Sequence, residues 1–134
     1  IISDDYRTIE MVYPRQISKK QAYEIQNLKN FINSVSTKLD SIYILNNSPG
    51  LYFILERKNA TRFDLPLLAG TIEKRYEIVN DLARHKPRFI IEDNSAWAVD
   101  GITDRIRQPE VFEYVKRNYL RYKEIGNYTI YKFR

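Results

Sequence analysis

Three polar residues, Asn46, Asn47 and Ser48, directly follow the short apolar segment 41–45. That segment predicts a buried strand, and Pro49-Gly50 then opens a helix for which Ser48 is a suitable cap. In α/β folds, the loop after a strand and the free amides of the next helix often bind anions. We therefore take these three residues as candidate substrate contacts. An ordinary capped helix gives the same pattern, and neither glycine-rich phosphate motif is present.

Positive charge is concentrated just after that helix, in Arg57, Lys58 and Arg62. Guanidinium groups match the geometry of phosphate and carboxylate, so Arg57 and Arg62 are further candidate contacts. A solvated basic loop is the alternative, as is a structural bridge from Arg62 to a carboxylate such as Asp64 or Glu92.

Trp97 is a candidate of a different kind, because it stands in the polar segment 92–108. An indole there can stack on a sugar, lie at a membrane interface or anchor the loop to the core. Glu92 and Asp93 end the second predicted strand, where adjacent side chains point to opposite faces. That geometry disfavours acid/base catalysis by the pair and favours capping or pairing with arginine.

No residue is predicted to be catalytic or to bind a metal. The chain lacks cysteine, and its one histidine, His85, reads as a cation at a helix C-terminus. Asp100-Gly101 resembles part of a calcium loop, but Ala96, Ala98 and Arg107 stand where ligands are required. We also expect no cofactor.

Size and composition indicate an ordinary globular chain. It has 134 residues, 43% of them hydrophobic and 29% charged, with a net charge of +5 that permits attraction to phosphates. Its 11 tyrosines do not gather into strands that could stack bases, so no nucleic-acid partner is predicted. No apolar run is long enough to span a membrane, so we expect one soluble domain over 1–134. Because the chain begins at Ile1, we also expect that this domain is excised from a larger membrane protein, with 1–16 as a juxtamembrane lead-in.

The elements that must position these residues follow from periodicity and caps. A helix with a Ser18/Gln21 capping box precedes the first strand, and a long helix is predicted over 65–84. A strand over 88–91, a loop over 92–108, a helix from Pro109 through Leu120 and a hairpin turning at Gly126-Asn127 complete the chain. The order predicts an α/β fold: a small three-layer sandwich with a mostly parallel central sheet, helices on its faces and a C-terminal antiparallel hairpin.

Several short motifs of this chain occur in an order and spacing that match a known protein family. They are Pro49-Gly50-Leu51-Tyr52-Phe53, Arg57, Ala60-Thr61-Arg62-Phe63, Lys86-Pro87-Arg88-Phe89-Ile90-Ile91, Asn118-Tyr119 and Ile125-Gly126-Asn127-Tyr128. From about Leu39 to Arg134 the chain resembles the extracytoplasmic C-terminal domain of bacterial multi-pass membrane glycosyltransferases, the superfamily that includes protein O-mannosyltransferases and lipid A aminoarabinose transferases.

The resemblance implies transfer of a sugar from a polyprenyl-phosphate donor to a lipid, glycan or protein acceptor. Catalytic carboxylates in that family lie in loops between membrane spans, so this chain would be non-catalytic and would contact acceptor or lipid headgroups. It implies a location at the extracytoplasmic face of the bacterial cytoplasmic membrane, with the membrane-embedded portion of the same polypeptide as partner. A membrane-proximal interaction or sensing domain without enzymatic activity remains the alternative.

Overall fold

The computed structural model describes residues 18–96 and 98–134, so the predicted lead-in over 1–16 and Trp97 lie outside the described residues. A four-stranded sheet carries helices on both faces. The helices are α1 (Lys19–Val35), α2 (Gly50–Leu55), α3 (Ile72–His85), α4 (Asp104–Arg107) and α5 (Pro109–Asn118); the strands are β1 (Ile42–Ile44), β2 (Phe89–Asp93), β3 (Tyr119–Ile125) and β4 (Tyr128–Phe133); and 3₁₀ turns cover Pro66–Leu68 and Val99–Gly101.

The sheet is mixed, with the strand order β1-β2-β4-β3. β1 and β2 are parallel, whereas β4 is antiparallel to both β2 and β3. The α/β class and the C-terminal hairpin are therefore confirmed, but the prediction of a mostly parallel sheet is wrong. The described chain makes one parallel crossover, and β4 then inserts beside β2, so antiparallel pairing reaches the centre of the sheet.

Alternating side chains of the strands supply two cores, one on each face. α1 and α2 cover one face, and the predicted apolar stripe of α1 is confirmed together with its capping box at Ser18. α3 and α5 cover the other face. The fully buried centre of this second core includes Tyr43, Leu45, Ile78, Leu82, Ile90 and Val111.

Two predicted helix boundaries are wrong. The helix expected over 65–84 is interrupted, because α3 starts only after Thr71, whose side chain accepts a hydrogen bond from the amide of Lys74. α5 ends at Asn118, so Tyr119 and Leu120 belong to β3, where Tyr119 pairs with Phe133. Pairing across the hairpin thus overrides the helical spacing of these two residues.

The two edges of the sheet differ. At the outer edge of β1, the amide of Ile42 donates to the carbonyl of Lys58 over 2.9 Å, and the carbonyl of Ile42 accepts from Ala60 over 2.8 Å. β3 forms the other edge, where its pairing with β4 shifts register between Arg121 and Lys123. Within the described residues, no helix combines the length and apolar character that a membrane span requires.

Candidate functional site

Asn46 lies where the parallel strands β1 and β2 end, and its side chain joins three segments. The side-chain oxygen accepts a hydrogen bond from the amide of Asp93 over 2.6 Å, and Nδ2 donates to Oδ2 of Asp104 over 3.1 Å. Asn46 is 7% exposed, so these bonds satisfy a buried amide. It therefore ties the ends of β1 and β2 to the start of α4.

Asn47 makes a second set of connections from the same loop. Its Nδ2 donates to Oδ1 of Asp104 over 3.2 Å, and its oxygen accepts from the amide of Leu67 over 3.0 Å. Both oxygens of Asp104 thus accept bonds from asparagine amides. Burial raises the pKa of Asp104, although the bond from Asn46 acts in the opposite direction.

Ser48 does not cap α2 with its side chain, which corrects the sequence prediction. The cap residue is Pro49, which has no side-chain donor or acceptor, and the Ser48 hydroxyl instead donates to Oδ2 of Asp93 over 3.3 Å. Oδ1 of Asp93 accepts from the amide and hydroxyl of Ser95. The structure therefore gathers the three predicted polar residues with two carboxylates, Asp93 and Asp104.

Four exposed aliphatic side chains lie on the two segments that Asn47 holds. Leu67 is 37% exposed, Leu68 59%, Ile102 41% and Ile106 71%, and α4 packs against the Pro66–Leu68 turn. We call these four residues the apolar tip. The sequence does not predict the tip, because Leu67 and Leu68 fall in a predicted helix and Ile102 in a predicted loop. The available signal is the isoleucines among the polar residues of 100–107.

Arg57 lies near the opposite end of β1. Its side chain is buried, and its guanidinium donates to the carbonyl of Leu55 over 2.8 Å, to Oδ1 of Asn33 over 3.1 Å and to the hydroxyl of Ser36 over 3.2 Å. These bonds fasten the segment after α2 to the end of α1. The structure does not bring Arg57 together with the asparagine loop.

Arg62 is exposed and forms an ion pair with Glu77 of α3, rather than with Asp64 or Glu92. Its guanidinium also stands 4.4 Å from the ring centre of Phe63. Glu92 is buried and pairs with Arg105 over 2.9 Å, as expected for a strand-end carboxylate held by arginine.

The asparagine cluster is a network of hydrogen bonds within the chain. Asn46 and Asn47 occupy both oxygens of Asp104, which holds that carboxylate in place. In the ranges 18–96 and 98–134, no three His, Cys, Asp or Glu side chains come close enough to hold a metal ion. The amide and hydroxyl groups of this loop are thus held by bonds within the chain, and the apolar tip lies on the segments that they hold.

Comparison with known proteins gives likenesses to solved structures alone. No protein-family model matches the chain, and no curated protein matches it. Among solved structures it is similar to the C-terminal globular domain of an oligosaccharyltransferase from Archaeoglobus fulgidus, with a TM-score of 0.47 and 8% sequence identity, covering 90% of this chain and 100% of that one.

Proposed function

We propose that this chain is a non-catalytic extracytoplasmic domain of a bacterial membrane glycosyltransferase. The parent enzyme would transfer a sugar from a polyprenyl-phosphate donor to a lipid, glycan or protein acceptor, and its membrane-embedded portion would supply the catalytic groups. The domain would work at the outer face of the cytoplasmic membrane and need no cofactor of its own. The motifs between Leu39 and Arg134 are the starting point of this proposal.

The observation that carries the proposal is the apolar tip. Exposed aliphatic residues that cluster on a surface commonly mark contacts with a protein or membrane partner. Here the two segments that carry them are fixed by Asn47 and Asp104, so the tip is held in shape before any partner arrives. We take its partner to be the membrane-embedded portion of the same polypeptide.

Asn47 and Ser48 would then contact an acceptor or a lipid headgroup beside the docked tip. Arg62 would act as an exposed contact elsewhere on the domain, because its pair with Glu77 is open to solvent and easily exchanged. Arg57 would support the fold at the opposite end of β1. Trp97 belongs to the segment between β2 and the tip and is proposed as a further contact.

The substitution Ile106→Glu in the full-length enzyme tests the proposal. A carboxylate at the most exposed position of the tip should weaken docking by more than about 1.4 kcal/mol, which is a factor of ten, and sugar transfer should fall accordingly. The measurement is transfer to acceptor in membranes. The isolated 134-residue variant should keep its melting temperature, since Ile106 is 71% exposed.

Leu39→Glu is the matched control, because Leu39 is 95% exposed and lies in the turn between α1 and β1. Its transfer activity should equal that of the unmodified enzyme. If Ile106→Glu and Leu39→Glu both transfer sugar as well as the unmodified enzyme, the apolar tip is not the docking surface.

A sensing or interaction domain without an enzymatic partner could use the same tip to bind another protein. The sequence preceding Ile1 separates the two functions. About ten or more membrane spans upstream support the transferase, whereas one or two spans support the sensing domain.

A further inference from the structure

A groove of about 490 Å³ lies between α5 and the β3–β4 hairpin, and its lining includes residues of the second core. Its volume is typical of a small-molecule site. Phe112 of α5 and Tyr131 of β4 line it with aromatic rings, and Val115 and Leu120 add aliphatic surface. A sugar ring or another compact body has both space and an apolar wall here.

Four cationic side chains line the same groove: Arg105, Lys116, Arg121 and Arg134. One acidic side chain, Glu113, also lines it, and Glu113 pairs with Arg117 over 2.9 Å. These five side chains carry a net charge of +3, although Glu92 and Glu124 pair with Arg105 and Arg121 from outside the lining. Such a concave, basic surface concentrates anions.

The existing ion pairs leave these cations available to a ligand. Arg121 pairs with Glu124, and both side chains are more than half exposed, so this pair contributes little and exchanges readily. The guanidinium of Arg105 uses one terminal nitrogen to bind Glu92 and stands 5.0 Å from the ring centre of Phe112. A guanidinium has five N–H donors, so this anchored arginine can also serve an anion.

We propose that this groove binds a phosphate ester carried on a sugar or similar ring. Arg105, Lys116 and Arg121 would contact the phosphate, and Phe112 and Tyr131 would pack against the ring. Arginine and lysine together are the usual partners of a doubly charged phosphate, and a ring body explains the use of the aromatic wall. The groove adjoins the apolar tip, because Arg105 and Ile106 belong to the same short helix α4, but the proposal does not depend on the proposed function.

The test is an NMR titration of the 134-residue chain with glucose 1-phosphate, inorganic phosphate and glucose. Glucose 1-phosphate should cause saturable shifts at the amides of α5 and β3, phosphate should cause weaker shifts at the same amides, and glucose alone should cause none. The variant Lys116→Gln/Arg121→Gln should bind glucose 1-phosphate at least tenfold more weakly. Absence of saturable shifts, or unchanged affinity in this variant, would overturn the proposal.

Lys19→Gln/Lys20→Gln is the matched control, because it removes the same charge from exposed positions at the start of α1. Its affinity should stay within twofold of the unmodified chain, and an equal loss would show nonspecific charge attraction. Vesicles containing phosphatidylglycerol distinguish a lipid-borne phosphate from a free one. Competition between vesicles and glucose 1-phosphate supports a lipid-borne source, whereas vesicle binding that is unaffected by glucose 1-phosphate lies outside the groove and supports a soluble phosphate ester as the groove's ligand.

Discussion

Polar side chains near the two ends of β1 have different roles. Near the amino end, Arg57 donates to a backbone carbonyl and to two polar side chains of α1. At the carboxyl end, Asn46 and Asn47 share Asp104 and position two segments whose aliphatic side chains remain exposed. Both sets belong to one stretch of sequence, yet only the second bonds to the two segments that carry the apolar tip. Exposure of the neighbours, rather than hydrogen bonding alone, distinguishes a candidate site from a structural bridge.

The largest expected effect on the free energy of unfolding is that of Arg57→Ala. Loss of a buried guanidinium and its bonds should lower the free energy of unfolding by about 3 kcal/mol. The matched Arg62→Ala should change it by less than about 0.5 kcal/mol, because its ion pair is exposed. Urea denaturation of the 134-residue chain measures both. Equal losses would contradict the assignment of Arg57 as the structural member of the pair.

At the carboxyl end, Asn47→Ala should destabilise the chain by about 1–2 kcal/mol, since the amide of Leu67 and the carboxylate of Asp104 each lose a partner. Hydrogen exchange should accelerate in the Pro66–Leu68 turn and α4 before the rest of the fold. Asn80→Ala, at an exposed position of α3, should leave both measurements unchanged. Uniform acceleration across the sheet would show that Asn47 does not act locally.

The smallest expected effect is a pH dependence from Asp104. Its pKa in the folded chain is raised by burial, so folding favours the protonated form. The stability that it contributes is present below the ordinary aspartate pKa of about 4 and is lost as the pH rises through the folded value. The unfolding free energy of the native chain, minus that of Asp104→Asn, should therefore decrease between pH 4 and pH 7. An increase over that range would mean that the two asparagine amides outweigh burial.

Local sequence signals predicted the elements for which local preference and tertiary packing favour the same structure. The Ser18 capping box, the apolar stripe of α1 and the Gly126-Asn127 hairpin all appear as expected. Gly126 takes a φ of +55°, which glycine adopts without strain. Long-range pairing decided the rest: β4 lies next to β2, and Tyr119 joins β3, because of partners distant in sequence.

The candidate site was only partly predictable, because its contacts also depend on residues distant in sequence. The loop 46–48 was recognisable from its place after a strand, but its partners Asp93 and Asp104 come from segments 45 and more residues away. Several residues of the recurring motifs serve the fold. Arg57 bridges elements, Phe63 and Phe89 are in the two cores, and Lys86 ends α3 at a φ of +46°.

The two sheet edges also determine how copies of this chain can meet. β1 is covered by its bridge to the segment after α2, and β3 combines a register shift with the charges of Arg121, Lys123 and Glu124. A bulged, charged strand is a poor template for strand addition. Neither edge is suited to pairing with a strand of a neighbouring molecule. Crowding of many copies on one surface should therefore not lead to intermolecular β-sheet.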